Sequence, residues 1–165
     1  MPDLPEYMLK KDKPTINDFA PDEHLYRRVP EDFWDDAEIE LDSIDFPDMS
    51  VTRESLAPAT SARWIGEEYV DWGVIGFQVS DMPSEIRFQG AYIYRMRAVH
   101  APQRRNYPHS EVRSFESKWD KPEEQMHVDK QAMPGVPREA QQEWRELIRR
   151  RSRIILRPGE EPGEG

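Results

Sequence analysis

Apolar and polar positions alternate most clearly between Trp72 and Val112, and this stretch predicts the sheet on which the rest of the chain is organised. In its first run Ile75, Phe77 and Val79 alternate with Val74, Gly76 and Gln78, and the first set is assigned to the core because it is the more apolar. Asp81-Met82-Pro83-Ser84 turns the chain. The return run puts Ile86 and Phe88 on one face before Gly90. Beyond that glycine Tyr92, Tyr94 and Met96 oppose Ile93, Arg95 and Arg97, and a glycine inside a strand marks a bulge. Asn106-Tyr107-Pro108-His109 is a second turn, and Ser110 to Phe115 a third strand with Val112 and Ser114 inward.

Weaker patterns flank this centre. His24 to Val29 reads as a short strand, with Leu25, Arg27 and Val29 on one face and Tyr26 and Arg28 on the other. Pro30 followed by Glu31 and Asp32 suits a helical first turn. Between Ala37 and Asp48 paired apolar positions separated by acids predict an edge strand or an extended acidic segment. Ser50 or Thr52 is read as the cap of a short helix reaching Leu56, and Ala59 to Val70 as one or two helical turns. The strongest helix pattern starts at Pro137, where Ala140, Trp144, Leu147, Ile148 and Ile155 recur at helical spacing. Glu139 and Glu143 sit early in it and arginines crowd its end. The expected fold is α+β: a small, mainly antiparallel sheet with flanking short helices and a C-terminal amphipathic helix over 137–155.

Composition then sets the boundaries. With 15 prolines and 34% charged residues among 165, part of the chain is expected to lie outside the core. Residues 1–21 read as a disordered or extended arm, 22–157 as a single α+β domain, and 158–165 as a disordered tail. Residues 1–50 hold 15 acidic and 5 basic side chains, so this acidic third carries the whole net charge of −10. Such a segment repels phosphate backbones and attracts basic protein surfaces. The absence of cysteine excludes disulfides and thiolate zinc sites. No apolar window is long enough for a membrane span, and no secretory signal pattern opens the chain, so the expected location is cytoplasmic.

Candidate chemistry gathers in the loop after the second run, where His100, Arg104, Arg105, Asn106 and His109 lie close together. Two imidazoles near neutral pH supply an acid and a base, and guanidiniums neutralise phosphate or carboxylate charge. His24, His100, His109 and His127 have no metal-ligand spacing, so no metal or other cofactor is expected. Arg145, Arg149, Arg150, Arg151, Arg153 and Arg157 form a basic cluster. They answer the helix dipole or the acidic third on the plain reading, and Arg145, Arg149, Arg150 and Arg153 meet nucleic acid on the alternative. Phosphate-loop, serine-hydrolase-elbow and kinase signatures are missing.

Three segments, Leu25-Tyr26-Arg27-Arg28, Ser50-Val51-Thr52-Arg53 and Asn106-Tyr107-Pro108-His109-Ser110-Glu111-Val112, resemble those of a small uncharacterised bacterial family. That family carries Leu-Tyr-Arg-Arg, Ser-Val-x-Arg and Asn-Pro-x-His-x-x-Val; here Tyr107 stands between the Asn and the Pro. The resemblance implies no activity. It implies a convergence of Arg27, Arg28, Arg53 and His109 on one anion-binding cleft. The first functional expectation is a non-catalytic bacterial interaction or accessory protein that binds a protein partner through its acidic N-terminal third. The alternative is a small metal-independent enzyme acting on RNA or a phosphorylated ligand. Its acid and base are His109 and His100, and Arg27, Arg28, Arg53, Arg104 and Arg105 bind the ligand.

Overall fold

The computed structural model describes residues 3–36, 38–46, 48–64, 68–88, 91–116 and 137–162. Its strands are β1 (His24–Val29), β2 (Trp34–Asp35), β3 (Glu38–Ile39), β4 (Met49–Arg53), β5 (Gly73–Gln78), β6 (Glu85–Phe88), β7 (Ala91–His100), β8 (His109–Glu116) and β9 (Arg153–Leu156), with one α-helix, α1 (Arg138–Arg151). Seven strands form one antiparallel sheet in the order β6-β7-β8-β4-β1-β5-β9, and β2 pairs with β3 in a separate small hairpin. Short 3-10 turns fill several of the connections. The α+β expectation holds.

Strand parity divides the sheet into two faces. On the first, Leu25, Val29, Met49, Val51, Ile75, Phe77, Met96, Ala98 and Val112 form the main core, and α1 closes it with Ala140, Trp144 and Ile148, one turn apart. Phe46 meets Trp144 edge-on at 5.8 Å between centroids. The second face is thinner: Tyr26, Val74 and Leu156 pack under Ala62 of the 3-10 turn Ala59–Arg63. Gly73 serves the first face by being small. Any Cβ there would lie 2.1 Å from the Trp34 indole, whose Nε1–H donates to the Val29 carbonyl at 3.0 Å.

Two local expectations are corrected. Ser50 to Leu56 is no helix: Met49 to Arg53 is a strand in the middle of the sheet, because Val51 and Thr52 are β-branched and find partners on both β1 and β8. The helix from Pro137 stops at Arg151, where the Ser152 hydroxyl and amide both bond to the Ile148 carbonyl. Arg153–Leu156 then pairs as β9 with β5, Ile154 opposite Ile75 and Leu156 opposite Val74. Among the described residues, 38–46 hold one strand of the small hairpin and a 3-10 turn over Leu41–Ser43, with Ile39 and Ile44 buried. Past Pro158 the chain turns back: the Gly159 amide, at a φ of 79°, donates to the Val70 carbonyl at 2.9 Å. The bulge expected at Gly90 and the helical turn expected near Glu123 to Val128 lie outside the described residues.

The N-terminal arm, which opens with a 3-10 turn over Glu6–Met8, is bound to the domain along its length. Met8 is fully buried, its carbonyl accepts from the Tyr107 amide, and the Lys10 amide donates to the Arg104 carbonyl. Further along, the buried Arg53 guanidinium clasps Glu23 through Nε (3.0 Å) and Nη2 (2.8 Å) and donates as well to the carbonyls of Ile16 and Asp18. Its plane lies 3.9 Å above the Phe19 ring. Burial pushes the Glu23 carboxyl up, but Arg53 and the Ser55 amide and hydroxyl outweigh it and the net shift is downward.

Breaking a buried pair of this kind by removing one partner costs about 3–5 kcal/mol. Arg53→Ala is therefore expected to lower unfolding free energy by roughly that amount and to open residues 9–20 to proteolysis. Chemical denaturation and limited proteolysis check this, and a variant as stable and protected as the wild type removes Arg53 from its role.

A cationic cleft on the second face of the sheet

The faces also sort the candidate residues. Arg27 and Arg28 are neighbours on β1, so their side chains leave on opposite sides. Arg27 goes to the first face, where it ion-pairs Asp45 at 2.8 Å and donates to the carbonyls of Ser43 (3.3 Å) and Ser50 (3.0 Å). Burial lowers its pKa and Asp45 opposes that. Arg53 shares the first face and is spent on Glu23 and the arm. Arg28 pairs opposite Val74 on the second face. Its guanidinium lies 5.8 Å from the Trp72 ring, and among the described residues nothing bonds to it or pairs with it. Burial lowers its pKa, Arg27 adds to that, and Asp45 works against it. The expected convergence of three arginines is thus corrected to Arg28 alone.

The two histidines also part company. His100 faces the first side, opposite Ser110, and both ring nitrogens are engaged. Nδ1 accepts from the Ile16 amide at 2.9 Å, which leaves the hydrogen on Nε2 to donate to the Tyr107 carbonyl at 2.7 Å. Burial depresses its pKa, the bond to Tyr107 raises it, Arg53 and His109 lower it and Glu23 raises it; the net shift is downward. His100 is a fastener between arm and loop. His109 faces the second side opposite Thr52, with Nδ1 2.8 Å from the Ala101 carbonyl and Nε2 3.3 Å from the Ser50 hydroxyl.

Around His109 lies a cleft of about 330 Å³. Arg28 and Ser50 come to it from the sheet, Trp64 from the end of the 3-10 turn, and Gln103, Arg105 and Asn106 from the loop between β7 and β8. That loop is a tight reversal in which Gln103 and Asn106 exchange backbone hydrogen bonds across Arg104 and Arg105. Arg105 is exposed, with no ion pair among the described residues, and the buried Asn106 Oδ1 has no hydrogen-bond partner. Among the described residues no carboxylate lines the cleft. Arg104 points to a neighbouring trough of about 570 Å³ with Lys10 and Lys11, and Arg105 borders both. The arrangement offers two guanidiniums and an amide to an anion.

Each of the three segments singled out in the sequence sends at least one residue to this cleft: Arg28, Ser50, and Asn106 with His109. Comparison of the chain with protein-family models, with curated proteins and with solved structures finds no match. The segments therefore take their meaning from where the fold puts them.

Sequence reasoning missed Ser50 and Trp64 as site residues. Its neighbours in sequence make Ser50 read as a cap; the signal that finds it is the parity it shares with Thr52 on a strand opposite His109. The basic cluster at the end of α1 is mostly engaged locally. Arg149 and Arg150 pair with Glu146, Arg151 donates to the Asp81 carbonyl, and Arg153 donates to His24 Nε2 at 3.1 Å. Among the described residues no group of three or more His, Cys, Asp or Glu side chains is placed to hold a metal ion, and no helix is long and apolar enough to cross a membrane. His127 lies outside the described residues.

A histidine whose pKa is lower in the folded than in the unfolded chain contributes stability that is complete above its unfolded value, about 6.5, and lost as pH falls below it. Unfolding free energy is expected to fall as pH drops below about 6.5, ahead of the carboxylates. His100→Gln is expected to flatten that limb while lowering stability at pH 8. Denaturation midpoints across pH decide it, and an unchanged limb in the variant removes His100 as its origin.

Proposed function

We propose that this domain binds a small anionic ligand, of the phosphate or phosphate-ester class, in the cleft between Arg28, Arg105, Asn106 and His109. The observation that carries the reading is Arg28: a half-buried guanidinium with neither hydrogen bond nor ion pair among the described residues, in a cleft whose described lining holds no acidic residue. A cation drawn out of water costs free energy unless something of opposite charge meets it. Arg27, its neighbour on the strand, has such a partner in Asp45. Arg105 on the loop and Lys10 and Arg104 in the adjoining trough extend the positive field outward, which favours anion capture on a chain of net charge −10.

Inorganic pyrophosphate is a suitable probe. Calorimetric titration is expected to give binding that weakens with salt, and Arg28→Ala and Arg105→Ala are each expected to weaken it about tenfold or more, the worth of a charge-assisted hydrogen bond. Pyrophosphate affinity equal to wild type in both variants sinks the reading.

A second reading, a protein partner for the acidic third, is supported by the exposed carboxylates of Glu31, Asp32, Asp35, Asp36, Glu38, Glu40, Asp42 and Asp45. Among the described residues Asp45 alone of these forms an ion pair. Deleting the arm is a poor test, since the arm braces the cleft loop. Reversing Asp32, Asp35 and Glu38 to lysine leaves the core untouched and is expected to abolish capture of a basic partner in a pull-down, with the melting temperature unchanged. Capture that survives the reversal eliminates the acidic segment as the docking surface.

A further inference from the structure

The cleft contains more than anion-binding groups. Ser50 and His109 lie on adjacent strands as diagonal neighbours, since Ser50 is opposite Glu111 and Thr52 is opposite His109, so both side chains leave the same face. The distance from Ser50 Oγ to His109 Nε2 is 3.3 Å, and among the described residues that imidazole is the only partner of the hydroxyl. The other ring nitrogen lies 2.8 Å from the Ala101 carbonyl. A carbonyl oxygen only accepts, so Nδ1 carries the hydrogen and Nε2 presents its lone pair to the serine. This is the relation a nucleophile needs with its base, with a third group fixing the base's tautomer. Both partners have rigid supports. Arg27 donates from the opposite face to the Ser50 carbonyl, and the loop behind His109 is held by Met8 and Pro14 of the arm.

We propose that Ser50 is a nucleophile and His109 its general base in transfer of a phosphoryl group from a phosphate ester to water; this rests on the anion-binding reading of the cleft. In the first step Ser50 Oγ bonds to phosphorus, the ester P–O bond breaks, and the serine proton passes by way of His109 Nε2 to the leaving alcohol oxygen. In the second a water attacks phosphoserine 50, gives a proton to Nε2, and inorganic phosphate leaves as Ser50 Oγ recovers that proton. One ester and one water give one alcohol and one phosphate. Arg28 and Arg105 stand where charge on the transferring group needs neutralising.

The test uses the full chain with two activated donors, 4-nitrophenyl phosphate and acetyl phosphate, and peptide mass spectrometry to find a phosphoryl adduct. The wild type is expected to release nitrophenolate and to carry the adduct on Ser50. Ser50→Ala is expected to lose both while binding pyrophosphate within about twofold of wild type. His109→Asn keeps a donor for the Ala101 carbonyl but has no base, and is expected to slow release by about a hundredfold or more. Melting temperatures near wild type confirm that both variants fold; should His109→Asn not fold, Ser50→Ala and the adduct decide alone. A wild type that binds pyrophosphate yet releases nothing and forms no adduct with either donor overturns the nucleophile and leaves the binding site standing. A wild type that does not bind pyrophosphate overturns both, and an adduct elsewhere than Ser50 overturns the assignment.

Discussion

Arg53 is the residue on which the rest of the molecule depends. Its guanidinium is 2% exposed and touches four parts of the chain: Glu23 before β1, the carbonyls of Ile16 and Asp18 in the arm, and the Phe19 ring. Removing an arginine and a glutamate from water is costly, and attraction within the pair offsets that only when the remaining donors and acceptors are satisfied. Here the carbonyls of the arm satisfy the donors left over, so the arm is part of what makes the buried charge tolerable. The dependence runs onward. Once Arg53 holds Ile16, the Ile16 amide reaches His100, and Pro14 receives the Tyr107 hydroxyl at 2.7 Å. Tyr107 then sets the loop that ends in Asn106 and His109.

What was legible in the sequence followed strand parity inside single segments. The faces of β1, the inward Ile75 and Phe77 of β5, and the inward Val112 and Ser114 of β8 were all readable from alternation. What was not legible came from partners far along the chain. Ser50 to Arg53 looks like a capped turn when its neighbours in sequence are considered, and like a strand only when β1 and β8 lie beside it. Ile154 and Ile155 continue a helical period as well as they start a strand, and the open side of β5 decides between the two. The arm's prolines and charges could not reveal hydrogen bonds to residues more than eighty positions away.

The site shows the same division. Arg28, Arg105 and His109 were candidates by residue type, and the fold gathers them. Arg27, Arg53 and His100 were candidates for the same reason and are structural fasteners, each occupied by backbone carbonyls, amides or a carboxylate. Residue type alone does not separate the two groups. Parity would have separated Arg27 from Arg28, because consecutive residues of a strand cannot share a face. Charge follows this geometry too: cationic groups left without internal partners collect at the β7–β8 loop, while the surplus carboxylates collect between β1 and β4.

The strapping of the arm across His100 and Tyr107 has a consequence for the order in which the chain assembles. The arm is made before the groups that fasten it, which follow about a hundred residues later, and β9, which covers the outer side of β5, follows later still. Contacts of such long sequence separation slow folding because loop-closure entropy is lost before they form. The cleft loop needs those contacts on its far side. The cleft loop therefore takes its final form only when the arm has been tied to segments made long after it.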